Sequence, residues 1–116
     1  MPAIDPIAID ALRALNPGDD SFLRDLIQIY LEDAPKRMAD IEAAAAQKDA
    51  RKLTLAAHSL KGSSSNFGAH ELSALGEQLE QLGRKATLDG VPDLLPPLRA
   101  EYARVQAELT ALLAPG

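Results

Sequence analysis

The chain has 116 residues with a net charge of −5 and no cysteine, and 47% of its residues are hydrophobic but only 3% aromatic. This length and composition fit one domain with an aliphatic core. The negative charge argues against nucleic acid as the main partner, and the missing cysteines exclude disulfides and thiolate metal sites. Neither a signal peptide nor the roughly 18 apolar residues of a membrane span is visible, so we expect a cytoplasmic protein without a membrane anchor.

Capping signals and apolar spacing predict two helices in the first half of the chain. Asp5-Pro6 places a helix N-cap before residues 6–15, whose apolar face is expected to contain Ile7, Leu12 and Leu15. A longer helix over residues 20–46 is indicated by the apolar spacing of Phe22, Leu26, Ile29 and Tyr30. Pro35 removes one backbone hydrogen bond from this helix, and we expect a bend there because the apolar phase resumes beyond it.

The second half of the chain predicts three more helices, over residues 50–66, 69–83 and 92–113. Asp49 is the expected N-cap of the first of them, and Gly68 ends it. Four long amphipathic segments with short connections predict an all-α fold, an antiparallel up-and-down four-helix bundle with a short additional N-terminal helix.

The helix over residues 50–66 carries an unusual outward face. With Leu53 at zero and about 100° per residue, the apolar stripe contains Ala56, Ala57, Leu60, Ser64 and Phe67. His58 then lies near 140° and Gly62 near 180°, on the opposite side, together with Arg51, Leu55 and Ser65. Lys61 lies at the flank, near 80°. The spacing therefore predicts a solvent-facing histidine, unlike a histidine packed into a core.

Glycine is an expensive residue in the middle of a helix, costing about 1 kcal/mol relative to alanine. One interpretation of Gly62 is that a side chain there would obstruct a partner that approaches His58, with exposed Leu55 as part of a docking patch. The alternative is that Gly62 and the serines after it mark a fraying helix end and that Leu55 is a stray exposed leucine. Spacing alone leaves both open.

The segment from His58 to Ala69 resembles the signature of histidine-containing phosphotransfer (HPt) domains, H-x-x-K-G-[SA]-[SA]-x-x-[FILV]-G-[AL]. The residues in register with that signature are His58, Lys61, Gly62, Ser63, Ser64, Phe67, Gly68 and Ala69. The resemblance implies a phosphorelay intermediate that accepts a phosphoryl group from a receiver-domain aspartyl phosphate and passes it to another receiver aspartate. His58 would be the phosphoacceptor, Lys61 the cation near the phosphoryl oxygens, and Gly62 the small residue over which the receiver closes.

A polar residue on the following helix often contacts the ring Nδ1 in this family, and its usual spacing from the histidine falls on Glu80. A carboxylate there would orient the imidazole and leave Nε2 as the nucleophile. A solvated surface glutamate is the alternative. His70, the second histidine of the chain, is expected on the surface without a metal-ligand set.

The resemblance implies receiver domains of response regulators, a hybrid histidine kinase, or both as partners, and a monomeric protein. No nucleotide-binding glycine loop is visible, so the chain is expected to be a phosphocarrier rather than an enzyme that phosphorylates itself. No acidic cluster surrounds His58, so the Mg²⁺ that such transfer normally requires is expected from the receiver, and no cofactor from this chain. Two other hypotheses remain: a helical receiver-binding module without phosphate transfer, and a metal-binding bundle.

Overall fold

In the computed structural model, which describes residues 2–114, five α-helices follow one another, and a 3₁₀ turn at Leu88–Gly90 precedes the last. The helices are α1 Pro6–Ala14, α2 Ser21–Gln47, α3 Ala50–Ser65, α4 His70–Arg84 and α5 Val91–Leu113. The predicted all-α bundle with a short N-terminal helix is confirmed, and the predicted helix ends differ from these by at most one residue. Within residues 2–114, every helix is too short or too polar to span a bilayer.

The helix starts follow the capping signals of the sequence. The Asp5 carboxylate accepts a hydrogen bond from the Ile7 N–H at 2.9 Å, and that of Asp49 accepts one from the Lys52 N–H at 3.1 Å. Each satisfies a backbone donor that the first turn of a helix leaves without a partner. α2 runs through Pro35 as one helix, so the proline does not divide it.

The core follows the predicted stripe on α3. Leu53, Ala57 and Leu60 are fully buried, and Phe67 beyond the helix end packs edge-on against the ring of Tyr30 at 5.3 Å between centroids. The Tyr30 hydroxyl lies 2.8 Å from that of buried Ser64, so both polar groups of this layer have a partner. α3 is therefore held between α2 and α4 with its opposite face free.

Four apolar residues that the sequence predicted to face inward lie outward instead. Ile7 of α1 and Leu15, the residue that caps the end of α1, are 77% and 68% exposed, because Ile9 is the buried residue and both lie more than 100° from it around the helix. Phe22 and Ile29 of α2 are 40% and 61% exposed, since each lies about 100° from the buried residue that follows it, Leu23 or Tyr30. The predicted faces of α1 and α2 were wrong at these positions.

Two glycines of α4 bring it unusually close to α3. A Cβ at Gly83 would lie 2.3 Å from the Thr54 hydroxyl and 3.0 Å from the Ala50 carbonyl oxygen, and a Cβ at Gly76 would lie 3.2 Å from the Lys61 Cβ. Glu80 lies between them on the same face, four residues after one glycine and three before the other. The close approach therefore carries the Glu80 side chain under α3.

The N-terminal segment closes the end of the bundle that contains the turn between α3 and α4. The backbone N–H groups of Ala3 and Ile4 donate to the Glu108 carboxylate, and the Asp5 N–H donates to the Phe67 carbonyl at 3.2 Å. Gly68 adopts φ +66° in the turn between α3 and α4, and a Cβ there would lie 2.4 Å from the Asp5 Cβ. This turn therefore requires glycine, for its backbone angle and for the space beside Asp5.

Candidate functional site

His58 projects from the free face of α3 into solvent. Its side chain is 63% exposed, and its Nδ1 lies 3.1 Å from Oε2 of Glu80 on α4. An ionised carboxylate can only accept a hydrogen bond, so a neutral ring in this geometry carries its proton on Nδ1. The second nitrogen, Nε2, then has a free lone pair.

Glu80, the partner of His58, is buried although it is charged. Its side chain is 2% exposed, and its two oxygens contact cations: Lys61 Nζ lies 2.6 Å from Oε1, and the Arg84 guanidinium contacts Oε2. The contact with Lys61 lowers the Glu80 pKa to about 2 against the opposing effect of burial, with help from Arg84 and His58. Glu80 is therefore a carboxylate throughout the neutral range, not the solvated glutamate of the alternative interpretation.

Lys61 points toward α4 and is 27% exposed, since its Nζ also donates to Glu77 Oε2 at 2.9 Å. Its contacts with Glu80 and Glu77 raise the Lys61 pKa, and the contact with Lys61 is the main cause that lowers the Glu77 pKa. Lys61 therefore stays a cation beside the imidazole. In this structure its charge is divided between the two carboxylates.

The four candidate docking residues lie on or beside the same outward face. A Cβ at Gly62 would meet no atom within 4 Å, and Leu55 is 60% exposed. Arg51 is exposed and forms no ion pair with any residue of 2–114. The Ser65 hydroxyl donates to the Lys61 carbonyl of its own helix at 2.8 Å and contacts the Ser73 hydroxyl of α4 at 3.1 Å. Internal packing thus gives no reason for glycine at position 62.

Arg84 is the site residue that the sequence analysis missed. It lies one turn after Glu80 on α4, and its guanidinium contacts the same carboxylate oxygen that His58 contacts. The i,i+4 spacing of a glutamate and an arginine was visible in the sequence and predicts such a pair. The spacing alone indicates an ordinary surface ion pair, and only the burial of Glu80 makes Arg84 part of the site.

His70 is on the surface, 76% exposed, as predicted, but it has a carboxylate partner that the sequence did not indicate. Its Nε2 lies 3.1 Å from Asp5 Oδ2. Among the residues that the structure describes, no three His, Cys, Asp or Glu side chains are grouped so that they could hold a metal ion. Neither histidine is thus part of a metal-ligand set within residues 2–114.

Comparison with known proteins agrees with this geometry. The family model described as "Hpt domain" matches residues 25–113. The chain is 32% identical over 92 residues to multistep phosphorelay regulator 1 of Schizosaccharomyces pombe, covering 78% of this chain and 31% of that protein. It is 32% identical over 79 residues to the sensory/regulatory protein RpfC of Xanthomonas campestris pv. campestris, covering 68% of this chain and 11% of RpfC. The chain therefore spans less than a third of either curated relative.

A solved structure matches over nearly the whole chain. The histidine-containing phosphotransfer protein B (HptB) from Pseudomonas aeruginosa PAO1 superposes with a TM-score of 0.86 at 29% sequence identity. The match covers 95% of this chain and 93% of HptB. The helical arrangement described above is thus shared with a protein of that name.

Proposed function

Because this chain belongs to the Hpt domain family, we propose that it is a phosphorelay intermediate with His58 as its phosphoacceptor. The observation that carries the assignment to His58 is the pairing of its Nδ1 with a buried carboxylate, which leaves Nε2 open to solvent. His70 has the opposite arrangement, since its Nε2 is engaged by Asp5. The proposal therefore distinguishes the two histidines of the chain by their geometry.

In the proposed reaction the Nε2 lone pair of a neutral His58 attacks the phosphorus of a receiver's aspartyl phosphate. A P–N bond forms, the P–O bond to the aspartate breaks, and the aspartate carboxylate leaves with the electron pair. The Nδ1 proton stays on the ring, which becomes a cationic phosphoimidazole facing the Glu80 carboxylate. The next transfer reverses these steps at a second receiver, so no proton needs to be gained or lost by the ring.

Glu80 and Lys61 have complementary roles in this proposal. Glu80 stabilises the positive charge that the ring acquires on phosphorylation and orients Nε2 outward. Lys61, three residues after His58, can donate charge-assisted hydrogen bonds to the phosphoryl oxygens, at the expense of its contact with half-buried Glu77. Such transfer depends mainly on positioning and electrostatics, which fits a site without a catalytic base.

Docking of a receiver is proposed on the face around His58. Gly62, one turn after the histidine, leaves open space through which a partner can reach the ring, and Leu55 offers an exposed apolar contact on the other side. Arg51, which forms no ion pair with the residues that the structure describes, supplies a cation for an acidic partner surface, and Ser65 lies at the edge toward α4. Receiver domains or the receiver of a hybrid kinase are the proposed partners, bound by a monomer in the cytoplasm.

The transfer chemistry also needs a divalent metal and a phosphoryl source. The two carboxylates of this site, Glu77 and Glu80, are both paired to cations, which makes them poor ligands for Mg²⁺. We propose that the receiver supplies Mg²⁺ and that a separate kinase supplies the phosphoryl group, with this chain as a phosphocarrier.

The test is phosphoryl transfer from a phosphorylated receiver domain to the wild-type chain and to His58→Gln. We expect label on the wild type and none on the variant, with both proteins giving the same helical circular dichroism spectrum. Label on His58→Gln would contradict the assignment of the acceptor. Receiver binding by both proteins without transfer to either would favour the helical interaction module instead.

A further inference from the structure

Two groups compete for one oxygen of Glu80. His58 Nδ1 lies 3.1 Å from Oε2, and the Arg84 guanidinium contacts the same atom. Lys61 holds the other oxygen, Oε1. Arg84 makes its only ion pair within residues 2–114 with Glu80, whereas Lys61 divides its charge between Glu80 and Glu77. Arg84 is therefore the cation whose charge acts on Glu80 alone.

A carboxylate beside an imidazole has two opposing effects on a nucleophilic histidine. It holds the ring by Nδ1 and favours the tautomer with a free Nε2. It also stabilises the protonated ring, in which both nitrogens carry a proton and no lone pair remains for attack. A buried glutamate without counter-charges would therefore orient the His58 ring, but it would also lower the fraction of molecules whose ring is neutral and able to attack.

We propose that Arg84 is a positioning residue that offsets the charge of Glu80, so that Glu80 orients the His58 ring without drawing a second proton onto Nε2. This inference rests on the proposed function and deepens it. The charged groups in contact with the pair are Lys61 on α3 and Arg84 on α4, and Glu77 on α4 contacts Lys61. Within residues 2–114, no ion pair joins this cluster to α1, α2 or α5.

The net charge of the cluster explains why Arg84 is needed. Lys61 and Arg84 balance Glu77 and Glu80, so the imidazole faces a group of four charges with no net charge. Without Arg84 the group has one excess negative charge, which favours the protonated form of the imidazole in contact with Glu80. Because the Arg84 side chain is 58% exposed, water screens part of its charge and the effect is moderate.

The experiment measures the rate of phosphoryl acceptance from a phosphorylated receiver as a function of pH for Arg84→Met. In the plot of rate against pH, the rise of the rate should shift to higher pH by roughly half a unit for this variant. The rate is then lower by up to about threefold on the acidic side, while the plateau at high pH is retained. Arg84→Lys should restore the wild-type profile. Lys85→Met is the matched control, because it removes an adjacent cation that has no partner within residues 2–114.

A double variant tests whether Arg84 acts through Glu80. Once Glu80→Gln has removed the carboxylate, adding Arg84→Met should produce no further shift of the profile. An unshifted Arg84→Met profile with a lower plateau would overturn the proposal, and so would an equal shift in Lys85→Met. Ring titration by NMR, without any receiver, measures the same shift, so the role of Arg84 is tested even if the wild-type chain accepts no phosphoryl group.

Discussion

The chain contains two histidine–carboxylate pairs of equal length in very different surroundings. His58 and Glu80 lie 3.1 Å apart on the α3–α4 face, and His70 and Asp5 lie 3.1 Å apart at the N-terminal end. Glu80 is 2% exposed and contacts two cations, whereas Asp5 is 31% exposed and caps a helix. The distance between the partners therefore does not define the site; the burial of the carboxylate and the nitrogen that it engages do.

The pairs also differ in the space around them. Beside His58 stands Gly62, where a side chain would meet no other atom within 4 Å. Two residues before His70 stands Gly68, where a Cβ would collide with Asp5. One glycine leaves room outside the protein and the other leaves room inside it. The same residue type thus serves access in one region and packing in the other.

The largest expected difference between the two regions is in phosphoryl transfer. His58→Gln should abolish acceptance from a phosphorylated receiver, since no nucleophilic nitrogen remains on that face, while His70→Gln should stay within about twofold of the wild type. The measurement is the initial rate of label transfer at equal protein concentrations. A comparable loss of transfer rate in His70→Gln would contradict the assignment of transfer to the His58–Glu80 pair alone.

Gly62→Gln should slow transfer by at least about tenfold, because a side chain over His58 keeps the donor phosphorus from reaching Nε2 at bonding distance. The free energy of unfolding should not fall and should rise by about 0.5–1 kcal/mol, since the added side chain enters open space and glutamine has a higher helix propensity than glycine. Gly62→Ala, with the smallest side chain, provides the graded control and should lose less. Undiminished transfer by Gly62→Gln would favour the helix-end interpretation of this glycine.

Gly68→Ala should show the reverse pattern. The new Cβ both requires φ +66° of a residue that disfavours it and meets the Asp5 Cβ, so the free energy of unfolding should fall by about 1–3 kcal/mol. Transfer by the protein that remains folded should be close to wild type. Urea unfolding and the transfer rate at low temperature measure the two quantities separately, and an unchanged unfolding free energy would contradict the packing role.

The buried carboxylate predicts a specific response to acid. The pKa of Glu80 is about 2 in the folded protein and near 4.5 for an ordinary glutamate, so its contribution to stability is complete above about pH 4.5 and is lost as the pH falls toward 2. Glu80→Gln should therefore unfold about 1–2 kcal/mol more easily at neutral pH, with a smaller further loss across that window. Parallel pH profiles for both proteins would contradict this assignment.

Replacing Asp5 should give the smallest change in acid stability, in the same direction as replacing Glu80. Its hydrogen bond with His70 is the largest cause that lowers the Asp5 pKa, so this pair also loses stabilisation as the pH falls through the lowered pKa. Because both side chains reach solvent, Asp5→Asn should change the acid-unfolding midpoint far less than Glu80→Gln. Acid titrations followed by circular dichroism compare the two, and an equal change would remove the distinction by burial.

Much of the fold was predictable because local physical rules determine it. Asp5 and Asp49 are capping residues wherever they occur before a helix, and the period of the apolar residues placed Leu53 inward and His58 outward. The same reasoning was wrong for four exposed residues, whose apolar character suggested a buried face that their angular position does not allow: Ile7, Leu15, Phe22 and Ile29. Apolar residues are common on protein surfaces, so composition alone does not decide burial.

The amino-acid sequence by itself determined the helices, their caps and an outward histidine beside a glycine, since these depend on residues within a few turns of one another. Only the tertiary structure decided that Glu80 is buried and shared by His58, Lys61 and Arg84, because this depends on how closely Gly76 and Gly83 let α4 approach α3. The distance between two helices is set by packing across the bundle, which no pattern along a single helix contains.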